Sequence, residues 1–177
     1  TARRRGSKSS VRLTVQGGSV GSSAGVDREL LRPTLERFGL DQFKPGQSEV
    51  MQAILEGRDT CVFWATGKGK SLCYQVPAVH SSRTVLVVSP LIALMKDQVR
   101  RFNERFSSQA DGPRACFLGS AQPDKKVEHD ALKGKFSLVY VSPEKLTQSE
   151  LLEQFRPLFK RGGLAFLAVD EAHCISQ

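Results

Sequence analysis

Four short apolar runs limit what this chain can fold into: Thr84-Val85-Leu86-Val87-Val88, Ala115-Cys116-Phe117-Leu118, residues 137–141 (SLVYV) and Leu164-Ala165-Phe166-Leu167-Ala168-Val169. They are continuous rather than alternating, the pattern of strands covered on both sides. Apolar residues at helical spacing fill the intervals, at residues 92–106, 123–132 and 148–159, and helical stretches at 27–38 and 45–56 precede the first run. This alternation predicts an α/β fold with a mostly parallel sheet and helices on both faces. At 177 residues and 40% hydrophobic, the chain can bury one core of ordinary domain size.

Charge separates that core from a tail. The net charge is +8, from 26 Lys and Arg against 18 Asp and Glu. Residues 1–26 hold Arg3, Arg4, Arg5, Lys8 and Arg12, no acid, and much Ser and Gly. They predict a disordered basic tail, leaving 27–177 as the folded part. The same composition fits an organelle transit peptide, a nuclear signal or a nucleic-acid arm. No apolar run approaches the roughly 20 residues of a membrane-spanning helix, so no membrane partner is expected. Cys61, Cys73, Cys116 and Cys174 are scattered without a C-x-x-C pair. Reduced thiols are expected, not a zinc or redox site.

A further β-like run, Thr60-Cys61-Val62-Phe63, leads into Trp64-Ala65-Thr66-Gly67-Lys68-Gly69-Lys70-Ser71, with a helix expected to begin near Lys70. Strand, glycine turn and helix N-terminus together make a phosphate cradle, because small residues let backbone N–H groups approach phosphate oxygens. Trp64 stands where the usual spelling G-x-x-x-x-G-K-[ST] has glycine, so a plain turn is the competing reading. In a cradle, Lys70 would reach the β- and γ-phosphates and the Ser71 hydroxyl would help hold Mg²⁺. The run at 164–169 then delivers Asp170-Glu171-Ala172-His173 to a strand's C-terminal end, where ligands of open α/β sheets sit. Asp170 is placed to hold Mg²⁺ through water, and Glu171 to orient and polarise an attacking water. Adjacent acids can also end a strand in a solvated loop; their pairing with the Gly/Lys turn favours the phosphate-handling reading.

Five segments in order carry a family resemblance: 38–47 (FGLDQFKPGQ), 66–75 (TGKGKSLCYQ), 88–99 (VSPLIALMKDQV), 139–144 (VYVSPE) and 170–177 (DEAHCISQ). From residue 27 to the last, the chain resembles the RecQ branch of superfamily 2 DNA helicases. Residues 115–122 (ACFLGSAQ) look most like its Werner-type members. The resemblance implies a RecA-like P-loop NTPase lobe using ATP and Mg²⁺, in an enzyme that couples ATP hydrolysis to 3′–5′ DNA strand separation in repair and recombination. It implies a nucleotide site of Lys44, Gln47, Thr66, Gly67, Lys68, Gly69, Lys70 and Ser71, with Gln47 pairing to the adenine edge. It implies catalytic roles for Lys70, Asp170 and Glu171, Mg²⁺ on Ser71 and Asp170, and His173 linking the γ-phosphate to DNA-dependent closure.

Residues 89–94 resemble a DNA-backbone contact, although Leu91, Ile92, Leu94, Met95 and Val99 have helical spacing and are expected mostly in the core. Lys68 stands where many relatives carry a small residue and is expected to point to solvent. Lys44 replaces a common arginine and loses its planar fork. The resemblance further implies the first of two lobes, C-terminally truncated before an aromatic-rich coupling loop, missing its second RecA-like lobe and inactive in unwinding alone. A nuclear location follows from a Werner-type relative, with an organelle as the alternative. The competing functions are a non-catalytic nucleotide- or DNA-binding regulatory fragment and an RNA helicase lobe, since the DEAH tetrad also occurs there.

Overall fold

The computed structural model describes residues 28–65, 67–119, 125–148 and 150–172. The expected tail at 1–26, together with Thr66, His173 and Cys174, lies outside them. The elements run α1 (Arg28–Arg37), α2 (Gln47–Leu55), α3 (Leu72–Ser81), β1 (Thr84–Val88), α4 (Ile92–Arg105), β2 (Ala115–Leu118), α5 (Lys125–Leu132), β3 (Leu138–Val141), α6 (Pro143–Gln148), α7 (Leu151–Lys160) and β4 (Leu164–Val169). Three of the four apolar runs become strands over their whole length, and the third loses only Ser137.

The strands form one parallel sheet in the order β2-β3-β1-β4. Central β1 is buried throughout, and its Leu86, Val87 and Val88 lie opposite Val139, Tyr140 and Val141 on β3 and Leu167, Ala168 and Val169 on β4. Successive side chains point to opposite faces, so one run feeds two cores. Val85, Val87, Leu138 and Tyr140 pack with Leu31, Leu35, Val76, Met95 and Phe102 from the helices α1, α3 and α4. On the other face, Leu86, Val88, Val139 and Val141 meet Ala131 of α5 and Leu151, Phe155 and Leu158 of α7. Each fully buried Leu, Val or Phe contributes on the order of 1.5–3 kcal/mol of transfer free energy. Helices therefore cover both faces, as the continuous runs require.

One expectation needs correction, and one helix was not expected. Residues 60–63 form no strand, and Phe63 is 81% exposed. A strand exists only with a hydrogen-bonded neighbour, and the outer edge of β4 has no partner strand among the described residues. The unpredicted α6 begins at Pro143, directly after Ser142, whose hydroxyl accepts the Lys145 N–H at 3.2 Å. A serine cap followed by proline at the first helical position is a start signal that the sequence offered.

Helix α4 is anchored through its C-terminal half. Phe102 and Phe106 meet Phe38 with ring centroids 6.2 and 5.2 Å away. Asn103 exchanges two hydrogen bonds with the Ala115 backbone, at 2.9 and 2.7 Å, fixing the helix against β2. At the C-terminal edge of the sheet, the Ser89 N–H donates to Val141 O at 3.1 Å and the Asp170 N–H to Val88 O at 2.8 Å. The sheet thus carries its hydrogen bonding as far as the first residue of the DEAH tetrad.

Candidate nucleotide site

The Gly/Lys turn is built by glycines that cannot be replaced cheaply. Gly67 and Gly69 have φ of 81° and 84°, in the left-handed region that favours glycine. A Cβ at Gly69 would also lie 2.5 Å from Gln47 Nε2. The turn enters α3 at Leu72 rather than at Lys70, with Ser71 as its cap residue. Trp64 packs its indole against Gly46, where a Cβ would come within 2.8 Å of the ring. The unusual first position of the loop is therefore a packing contact.

Residues 44–47 clamp this turn. Lys44 Nζ donates to Gly67 O at 3.2 Å, the single-point contact expected of lysine rather than an arginine fork. Gln47 is 1% exposed; its Nε2 donates to Gly69 O at 3.1 Å and its Oε1 accepts the Lys44 N–H at 2.8 Å. Lys70 Nζ donates to Trp64 O at 2.9 Å, curling back over its own loop. Lys68 is exposed, as expected.

The acids meet the turn from β4. Tyr74 O–H donates to Asp170 Oδ2 at 3.3 Å, and the Glu171 N–H donates to Asp170 Oδ1 at 3.1 Å. Burial pushes the Asp170 carboxyl above its ordinary value, against those two hydrogen bonds and the Lys70 charge, which favour the ionised form. Glu171 has φ 51°, a left-handed conformation that costs a non-glycine residue on the order of 1 kcal/mol or more and recurs at functional sites.

Sequence reasoning named no role for Tyr74, Gln75, Gln98 or Tyr140, yet all four stand behind the acid and the hydroxyl. Gln98 Nε2 donates to Ser71 Oγ at 3.1 Å, and Gln75 Nε2 donates to Gln98 Oε1 at 3.3 Å. The Tyr140 hydroxyl lies 3.5 Å from that of Tyr74. Tyr74 follows Ser71 by one helical turn, a spacing that puts both on one side of the helix. Gln98 gave no such signal, because its contact joins two helices. One core assignment also changes: Leu91 and Ile92 are 51% and 39% exposed, since the start of α4 runs past the sheet's C-terminal edge.

The donor set suits a small hard cation beside a nucleotide. Mg²⁺ commonly takes one or two carboxylates and fills its shell with phosphate oxygens, hydroxyls and water. Asp170 and Ser71 supply that set, and no cluster of three His, Cys, Asp or Glu side chains occurs among the described residues. Cys73 and Cys116 are buried with thiols pushed up to about 12, which leaves them inert. A cavity of about 350 Å³ lined by Arg37, Arg83, Arg114 and Lys135 lies at the other end of the strands and contains none of the site residues.

The model of the DEAD/DEAH box helicase family matches residues 44–177, from the first clamp residue onward. The chain belongs to this family. Among its relatives, the ATP-dependent DNA helicase RecQ of Haemophilus influenzae is 46% identical over 143 residues, covering 79% of this chain and 22% of the relative. The mouse bifunctional 3'-5' exonuclease/ATP-dependent helicase WRN is 43% identical over 142 residues, covering 79% of this chain and 9% of the relative. Those two identities do not separate the Werner-type branch from the bacterial proteins. The DUF1998 helicase MrfA, solved with DNA and AMPPNP, superposes with a TM-score of 0.66 at 24% identity, over 82% of this chain and 21% of that one. This DEAD/DEAH box helicase chain therefore has the RecA-like α/β lobe and spans less than a quarter of the length of these relatives. No helix among its described residues is long and apolar enough to cross a membrane.

Proposed function

We propose that this chain is the ATP-binding first lobe of a RecQ-type ATP-dependent DNA helicase, and that it binds Mg-ATP without unwinding DNA by itself. The observation that carries the reading is that the helix following the Lys70-Ser71 turn reaches Asp170 of β4 at the sheet's C-terminal edge, through the Tyr74 O–H at 3.3 Å. Lys70 exchanges its bond to Trp64 O for β- and γ-phosphate oxygens, and the backbone around Gly67 and Gly69 approaches the phosphates closely. Ser71 and Asp170 hold Mg²⁺, which when bound neutralises charge on the phosphate oxygens. Glu171 accepts a proton from, and orients, the attacking water.

Gln47 reads adenine with what the clamp leaves unused. A primary amide has two N–H donors and two acceptor lone pairs. The clamp takes one of each, and the remaining pair matches adenine's exocyclic amine and ring nitrogen. The lobe acts with a second RecA-like lobe that supplies the arginine fingers, with His173 reporting the γ-phosphate to the DNA-bound state. DNA contacts residues 89–94, where exposed Leu91 and Ile92 stand, and the whole enzyme works in the nucleus on repair and recombination substrates.

Calorimetry of Mg-ATP binding to the 177-residue chain tests the reading, with Lys70→Ala as the control. The expected result is binding that weakens at least about tenfold in the variant, as removal of a charge-assisted phosphate contact requires. Hydrolysis is expected to stay slow with and without single-stranded DNA. Absence of binding by the unaltered chain would overturn the assignment, and robust unwinding by it would overturn the claim that it is half an engine.

A further inference from the structure

We infer that Gln98 is a positioning residue for the metal ligand Ser71, and that it makes nucleotide-bound Mg²⁺ depend on the placement of α4. The inference rests on the nucleotide-site reading and adds to it a residue outside the cradle.

The geometry is specific. Ser71 Oγ has one proton and two lone pairs. Gln98 Nε2 donates into one lone pair at 3.1 Å. With that direction taken, the second lone pair is the one left for a cation. An unrestrained serine hydroxyl rotates, so its alignment with a metal costs entropy at binding; one fixed beforehand by a donor does not.

Gln98 is itself restrained. Its Oε1 accepts from Gln75 Nε2 at 3.3 Å, which orients the amide so that its nitrogen faces Ser71. On the other side, the Tyr74 O–H donates to Asp170 Oδ2 at 3.3 Å, with the Tyr140 hydroxyl 3.5 Å from it. The two residues that would hold Mg²⁺ are thus each held by a side chain outside the turn, Ser71 by Gln98 of α4 and Asp170 by Tyr74 of α3. Of these two supports, Gln98 stands on an element that bears neither ligand and is not part of the sheet. That helix starts at the exposed Leu91 and Ile92 and is fixed further along by Asn103 and Phe102. A displacement of its first turns would therefore move Gln98 relative to Ser71.

The test is ADP binding to the 177-residue chain, measured by calorimetry in EDTA and across a Mg²⁺ titration. Gln98→Met keeps length and helix propensity while deleting the donor, and Gln75→Met removes only the brace. Gln98→Met is expected to raise the Mg²⁺ concentration at half-effect about 3–10-fold, with unchanged affinity in EDTA and unchanged melting temperature without ligand. Gln75→Met should shift it in the same direction by less. Equal weakening with and without Mg²⁺, or no change in either variant while Lys70→Ala loses nucleotide, overturns the inference and leaves the nucleotide site standing. Indifference of the unaltered chain to both Lys70→Ala and Mg²⁺ overturns the nucleotide site and this inference with it.

Discussion

Asp170 shows what one residue gives up for chemistry. Its carboxylate is held in a partly buried place where its ordinary value of 3.8 is raised, so ionisation at neutral pH opposes folding. The folded chain binds the proton more tightly than the unfolded one. The resulting penalty is absent below the unfolded value and fully present above the raised folded value. Asp170→Asn is therefore expected to melt about 1–3 °C higher at pH 7, a small gain because two hydrogen bonds and Lys70 already offset part of the burial. That advantage should disappear as the pH falls towards 4, while the Mg²⁺-dependent part of nucleotide binding should be lost at every pH. Thermal melts at several pH values read the first effect and calorimetry the second; a lower melting temperature at pH 7 would contradict the account.

Elements reveal where sequence reasoning works and where it stops. β1 and β2 were legible because an apolar run buried on both faces needs little further context, and β4 because its run is as continuous, although its residues are only half-buried or exposed. Residues 60–63 looked equally β-like and failed, since pairing is a property of two segments and the run announces only one. Lys70, Ser71 and Asp170 were named from their motifs, and the helix that follows the turn meets Asp170 through Tyr74. The Gln47 clamp was only half legible: the resemblance gave the residue a ligand, whereas its bonds to the loop are tertiary facts. The clamp makes the turn sensitive to a single methyl group. Gly69→Ala meets both a left-handed φ and the Gln47 amide, and should cost about 1–3 kcal/mol of stability together with most nucleotide affinity. Denaturant unfolding and ADP calorimetry measure the two losses. An alanine variant as stable as the original chain would mean that the clamp yields freely.

At the scale of the whole molecule, the sheet is asymmetric. β1 is covered on both flanks and both faces, whereas β4 pairs on one flank only and leaves Leu167 and Val169 about half exposed among the described residues. Unpaired apolar edges template strand addition. The chain is therefore expected to self-associate as its concentration rises, and Leu167→Lys should shift sedimentation towards the monomer without lowering the melting temperature by more than about 2 °C. Identical, concentration-independent sedimentation of both proteins would refute this. If association occurs, protein concentration becomes a variable of state for this chain, on a par with pH or salt. Asp170 lies one residue beyond that edge, so a nucleotide affinity obtained from a crowded sample would belong to the paired form, and only dilution would report on the single molecule.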